Sequence, residues 1–200
     1  YDRYNFSFRN TTNFLNNKFI LDTSANYIIQ NDKNMVSQGQ YFNPLTSLYL
    51  FPRGEDFSDV AVYERYDDLS GVNTQYWPYG DLGGVSSQNP YWIMNRMNRE
   101  NDRRRYKLAA SLQYNIIEGL NVQGRVSIDN TESKYTEKFH AGTVGNFAGP
   151  KGRYKEENRL DRQVYADVLA NFNKTFNEFN VTANLGASIK DLRMELTSLH

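Results

Sequence analysis

Residues 106–128 read YKLAASLQYNIIEGLNVQGRVSI, and every second side chain in them is apolar or small. Tyr106, Leu108, Ala110, Leu112, Tyr114 and Ile116 form one set, and Leu120, Val122, Gly124, Val126 and Ile128 form the next. Between the two lies Ile117-Glu118-Gly119, a tight turn whose glycine accepts positive φ. A period of two marks a β-hairpin with one greasy and one wet face.

The same figure recurs on both sides. Tyr4, Phe6, Phe8, Asn10, Thr12 and Phe14 run into a turn at Leu15–Lys18, and Phe19, Leu21, Thr23, Ala25, Tyr27 and Ile29 return. Val164, Ala166, Val168, Ala170 and Phe172 approach a turn at Phe176–Glu178, followed by Phe179, Val181, Ala183, Leu185, Ala187 and Ile189. None of these alternating residues is charged. The interleaved positions hold Arg9, Asp22, Lys107, Arg125, Asp129, Asp167 and Lys190 among many Asn, Ser, Thr and Gln. Cross-strand ion pairs among these charges are expected on the wet face.

Alternation alone fits a soluble sandwich with its greasy face inward as well as a membrane barrel with that face outward. Three features favour the barrel. Each run holds about ten to eleven residues, which at roughly 3.3 Å each and a tilt near 45° cover the ~25 Å apolar band of a bilayer. Aromatics gather at the turn end (Phe14, Phe19, Tyr114, Phe172, Phe176, Phe179), and Tyr4, Tyr27 and Tyr106 lie at the other, as two interfacial girdles would. The polar face is rich in neutral amides and hydroxyls, such as Asn121, Gln123, Ser127, Asn180, Thr182 and Asn184, which suit a wet interior.

Composition narrows the classes. No apolar run is long enough for a membrane-spanning helix, but a barrel strand leaves no such run. Lys+Arg and Asp+Glu number 23 each, so no basic surface for nucleic acid is indicated. Without cysteine there is no disulfide, thiolate metal site or cysteine nucleophile. The joints between runs alternate short and long: the turns are expected to face the periplasm, and two excursions, 31–105 and 136–162 including strand extensions, are expected outside. Six strands cannot enclose a barrel of eight or more, so an excerpt of a longer, partial antiparallel transmembrane β-barrel is expected.

The first excursion is aromatic and long, which in a compact chain signals its own structure and function. Asn43-Pro44, Phe51-Pro52 and Trp77-Pro78 punctuate it with extended or turn residues. A short helix is expected within Asp56–Asp68, and Tyr91-Trp92-Ile93 is expected to open the third strand, which descends through Arg99–Arg105. The second excursion, dotted with Gly142, Gly145, Gly149 and Gly152, is expected to be mobile at its tip.

Specific motifs sharpen this. The run Asn43-Pro44-Leu45-Thr46-Ser47-Leu48-Tyr49-Leu50-Phe51-Pro52-Arg53-Gly54 resembles the first large outer loop of the SusC/RagA family of TonB-dependent outer-membrane transporters. Gln75-Tyr76-Trp77-Pro78 and Ser87-Gln88-Asn89-Pro90-Tyr91-Trp92, then Asn95-Arg96, are similar to the same family, as are Asp161–Asp167 and Leu185–Ser188. The resemblance implies a plugged barrel of about 22 strands, localised in the cell outer membrane. It implies a SusD-like surface lipoprotein as lid, energy through TonB by way of segments not present here, and uptake of a glycan, oligosaccharide or peptide. The family often pairs, which leaves a homodimer of the transporter–lipoprotein unit open.

Trp77, Tyr79, Asn89 and Trp92 are the candidate substrate-binding or lid-facing residues, because a ring face complements a pyranose face and an amide seeks its hydroxyls. The plainer reading makes them the loop's own small core. The acids Glu55, Asp56, Asp59, Glu64, Asp67 and Asp68 match no calcium-loop spacing and read as a solvated or ion-paired face. Arg103-Arg104-Arg105 is expected either to attract the anionic sugars of the outer leaflet or, the simpler reading, to sit above the headgroups. No cofactor, metal or catalytic residue is assigned: His140 lies in a glycine-bearing loop, His200 at the end, and no phosphate loop is present. The rival readings are a soluble β-sandwich carbohydrate-binding module and an outer-membrane barrel hydrolase.

Overall fold

The computed structural model describes residues 1–35, 39, 41–79 and 87–199. Strands β1 (Asp2–Phe14), β2 (Phe19–Lys33), β5 (Met97–Ile117), β6 (Leu120–Phe139), β7 (Arg153–Phe176) and β8 (Phe179–Leu199) form one antiparallel 6-stranded sheet in the order β1-β2-β5-β6-β7-β8. Every pair of neighbours in the sheet is also consecutive along it, with no crossover. A second, 2-stranded sheet, β3 (Glu64–Asp67) and β4 (Val72–Gln75), lies in the connection between β2 and β5. No helix is long and apolar enough to cross a membrane.

The expected turns are the observed ones. Asn16, Asn17, Asn177 and Gly119 all take positive φ, and Leu15 joins them at 51° although its branched side chain favours no such geometry. Register carries the alternation unchanged across the sheet. One row runs Thr23, Ala110, Val126, Ala166 and Ile189, and the adjacent residues form a second row of Asp22, Ser111, Arg125, Asp167 and Ser188. On β5 Leu108, Leu112, Tyr114 and Ile116 are exposed, whereas Ala109, Ser111, Gln113 and Asn115 between them are half-buried. The wet face is thus the more sheltered one, as it would be in a sheet that bends toward it. The greasy face lies open, with Phe8, Leu185 and Ile189 at 62%, 78% and 71% exposure.

Ion pairs appear on the sheltered face as expected for Arg9–Asp22 at 3.0 Å and Arg125–Asp167 at 2.8 Å. Asp129 is held by Arg105 rather than by one of the charges expected in the wall. Lys190 has no ion pair among the described residues.

Strand length decides where the rest sits. β5 has 21 residues and β7 has 24; at roughly 3.3 Å each that is about 70–80 Å, far more than a ~25 Å apolar band. From Tyr106 to Tyr114 the strand spans about 26 Å. The remainder, from Met97 to Arg105, is the charged descent foreseen in the sequence, and it supports a cap.

The cap begins differently from expectation. Tyr91-Trp92-Ile93 does not open the third strand but lies in helix α2 (Pro90–Arg96), and β5 starts only at Met97. The cause is local: the Asn89 side chain accepts from the Tyr91 amide at 2.9 Å, and Pro90 occupies the first turn, where its fixed φ is preorganised and its missing N–H costs nothing. Asn43-Pro44 does the same for α1 (Pro44–Leu50), with Asn43 accepting from the Leu45 amide at 3.0 Å. The expected extended geometry holds at Asn43 itself; the helix that follows it was not foreseen. Within Asp56–Asp68 the helical turn is a 3-10 segment, Phe57–Ala61, and the acids that follow enter β3.

The second connection is not the free tip expected of it. Its Gly142 carbonyl accepts from the Gln75 amide at 3.2 Å, and Thr143 and Ala148 are buried. Gly142 has φ +85°, and a Cβ there would come within 2.3 Å of the Asn73 carbonyl oxygen. Glycine is therefore what lets this loop lie against β4.

Candidate functional site

The cap's core forms where both connections meet the sheet. Trp92, Ile93, Met97, Phe139 and Ala148 are buried together, with Phe42, Tyr63 and Phe147 packed against them. The Trp92 indole N–H donates to Thr143 Oγ1 at 3.2 Å, and the Thr143 hydroxyl donates to the His140 carbonyl at 2.7 Å. Trp92 is 1% exposed. It therefore ties the two excursions together, and its ring is closed to any ligand in this conformation.

Asn89 is equally occupied. Besides capping α2, its amide nitrogen donates to the Val60 carbonyl at 2.9 Å and to the Tyr76 carbonyl at 3.2 Å, while its backbone N–H donates to Gln75 Oε1 at 2.7 Å. One buried amide thus joins the 3-10 segment, the residue after β4 and α2. Gln88, also 1% exposed, donates to the Tyr41 carbonyl at 2.7 Å and accepts at its own carbonyl from the Ser47 hydroxyl.

Trp77 and Tyr79 stand nearer the surface. The Trp77 indole N–H donates to Ser87 Oγ at 2.8 Å, and the Ser87 hydroxyl donates to the Tyr79 carbonyl at 3.1 Å. Their rings meet edge to face at 5.1 Å, and Tyr79 meets Phe51 the same way at 5.2 Å. Partial burial, then the negative charges of Glu55 and Asp59, raise the Tyr79 phenol above its ordinary value.

Three of the four expected residues, Trp77, Tyr79 and Asn89, line one cleft of about 230 Å³, together with Asp59, Val60, Val62, Arg65, Tyr76 and Pro78. Trp92 lies away from it. The Arg65 guanidinium carbon sits 3.4 Å from the Tyr76 ring centroid, a stacked cation–π contact. Arg65, Tyr76 and Asp59 were not among the expected site residues. Their signal was a hairpin: alternating residues around Asp67-Asp68-Leu69-Ser70-Gly71, with Gly71 at φ +69° and the Asp67 carboxylate accepting from the Ser70 amide at 3.2 Å.

The acids divide as the ion-paired reading expects. Asp56 accepts from the Ser58 amide at 2.9 Å, and Glu64 takes two bonds from Arg96, Nε to Oε2 at 2.7 Å and Nη2 to Oε1 at 2.8 Å. No cluster of three metal-ligating side chains occurs among the described residues. Hydrogen bonds from Arg96 hold the Glu64 carboxyl below its ordinary 4.5, against partial burial and with help from the guanidinium charge. A carboxyl with a depressed folded pKa contributes stability that is complete above its unfolded value and lost as pH falls through its folded one. Hydrogen exchange in α2 and β3 should accordingly speed up as pH drops below 4.5, after correction for the intrinsic rate. Glu64→Gln should flatten that dependence; an unchanged acid profile in the variant would assign the effect elsewhere.

Against known proteins, no protein-family model matches the sequence, and no curated protein does. Solved structures match along nearly all of it. The chain superimposes over 98% of its length on the RagAB peptide importer in the closed-closed state, with TM-score 0.59 and 13% identity. The open-open state gives 0.58 at 13% identity and 98% coverage, as does a further structure of the RagAB peptide transporter. The shared feature is the fold. In each comparison the chain spans 24% of the importer chain, about a quarter of its length. The likeness is one of fold, over 98% of this chain.

Proposed function

We propose that this chain is part of the wall and outer cap of a TonB-dependent, SusC-like importer in the cell outer membrane, passing oligosaccharides, glycans or peptides inward without chemistry on them. The observation that carries this reading is the open greasy face. An uncharged stripe crosses all six strands of the sheet, short turns close one end, and the cap stands at the other. A water-soluble sandwich would need a second sheet to cover that stripe. The RagAB likeness, covering cap and strands alike, supports a wall segment over a carbohydrate-binding module or a hydrolase.

In this reading the sheltered polar face lines the interior, and the rest of an importer chain supplies the plug, the remaining strands and the contact with TonB. A SusD-like lipoprotein closes over the cap. Tyr49 and Leu69, 88% and 98% exposed on α1 and on the β3–β4 turn, offer it apolar contact. Trp77, Tyr79 and Asn89 belong to the cargo- or lid-facing cleft, while Trp92 holds the two excursions together in the cap's core.

Spin labels on the full-length chain in its membrane test the orientation. Labels at Ala110, Val126 and Ala183 should be relaxed by oxygen, and those at Ser111, Ser127 and Asn184 by a water-soluble reagent. The reverse pattern, or an apolar trio shielded from both reagents inside a soluble particle, would end the importer reading.

A further inference from the structure

The cleft holds two opposite charges, Arg65 and Asp59, that are not paired with one another among the described residues. Arg65 lies on β3, and hydrogen-bonded pairing with β4 brings the strand's end beside Tyr76, whose ring the guanidinium covers at 3.4 Å. Stacking fixes the plane of the guanidinium and leaves its N–H edge directed away from the ring. Neighbouring acids are engaged elsewhere or stand off: Glu64 is taken by Arg96, and Asp67 caps the turn. Among the described residues Arg65 makes no ion pair. A planar, fixed, unpaired donor fork matches the two oxygens of a carboxylate, which it can bind through parallel bonds.

The remaining lining adds an acid and apolar surface. Asp59 lines it without a side-chain partner of its own among the described residues, and its charge, with that of Glu55, is felt at the Tyr79 phenol. A ligand carboxylate is drawn to Arg65 and repelled by Asp59, which accepts instead from whatever N–H or O–H donors the same ligand carries. Trp77 and Pro78 supply the apolar lining. At about 230 Å³ the space suits one residue of a polymer, not a whole chain.

We propose that this cleft is a carboxylate-recognition subsite of the cap, in which Arg65, laid flat on Tyr76, selects cargo that carries a planar acid. The inference rests on the importer reading for the word cargo but not for the binding itself. Two sources offer this chemistry, the C-terminal residue of a peptide and a uronic acid of a glycan, and neutral sugars do not.

The test uses the purified full-length chain in detergent and two pairs of probes. One pair is a tripeptide with a free C-terminus and the same tripeptide amidated; the other is a glucuronic-acid disaccharide and its neutral glucose counterpart. Binding is read by calorimetry and by tryptophan fluorescence. In at least one pair the acid should bind about tenfold or more tightly than its neutral twin. Arg65→Gln should abolish that preference, weakening the acid far more than its neutral twin. Arg65→Lys, which keeps the charge and loses the fork, should retain only part of it. The pair that responds identifies the source. Equal binding of acid and twin in both pairs, or a preference that survives Arg65→Gln in a variant with unaltered thermal unfolding, overturns the proposal. Uptake is measured separately in cells: an acid preference without uptake of any probe refutes the importer and leaves the subsite standing, and uptake indifferent to Arg65→Gln refutes the subsite alone.

Discussion

Trp92→Ala is expected to unfold the cap while leaving the sheet intact. The indole is 1% exposed, packs in the cluster with Ile93, Met97, Phe139 and Ala148, and donates across to Thr143. Removing a buried aromatic of this kind costs about 3–5 kcal/mol, through lost transfer energy and the cavity left behind. The lost bond leaves the Thr143 hydroxyl one partner fewer in an already buried place. Since each cap helix has 7 residues, too short to persist alone, the loss should spread to the whole cap. Amide exchange should accelerate about a hundredfold or more across 41–79 and 140–152, with the strands between Tyr106 and Phe172 unaffected. Tyr79→Ala, on a half-buried ring at the cleft, serves as the mild control. Cap protection that survives Trp92→Ala would mean that the two excursions are held by something other than this core.

The second large effect concerns the greasy face. Val126 sits in the row of Thr23, Ala110, Ala166 and Ile189, midway between the levels of Tyr106 and Tyr114, and is 45% exposed. If that row meets hydrocarbon at the bilayer centre, Val126→Arg should cost about 2–4 kcal/mol. Ser127→Arg, one residue on, projects to the wet face and should cost close to nothing. The two variants of the full-length chain are compared by the fraction that assembles as a heat-modifiable barrel in outer membranes. Equal assembly of both would remove the lipid-facing assignment. This pair is more discriminating than hydropathy, because neighbouring positions share every local property of the strand except the face they present.

The cleft shows why only part of the candidate site was legible in the sequence. Trp77, Tyr79 and Asn89 are expected at the site for their chemistry, and the three do line one cleft. Trp92 was chosen on the same ground, yet it lies in the core, because an indole on the inward face of a short amphipathic helix gains more from burial than from waiting for a ligand. Arg65 escapes a reading of the sequence because its significance depends on stacking with Tyr76, eleven positions along the chain (76 − 65), and on its making no ion pair among the described residues. No window of sequence displays either condition.

What the chain's own order of residues determined is the sheet: strand positions, turns, register and the division into greasy and wet faces. Those follow from a period of two and from a few residues able to take positive φ, both of which are local properties repeated along the strand. What only the tertiary structure decided is the cap. The pairing of Glu64 with Arg96, the seat of Trp92 against Thr143 and the cation in the cleft all join residues far apart in sequence. Such contacts form according to which side chains happen to meet once the long strands have brought both excursions to the same end, and a single strand's alternation carries no record of that meeting.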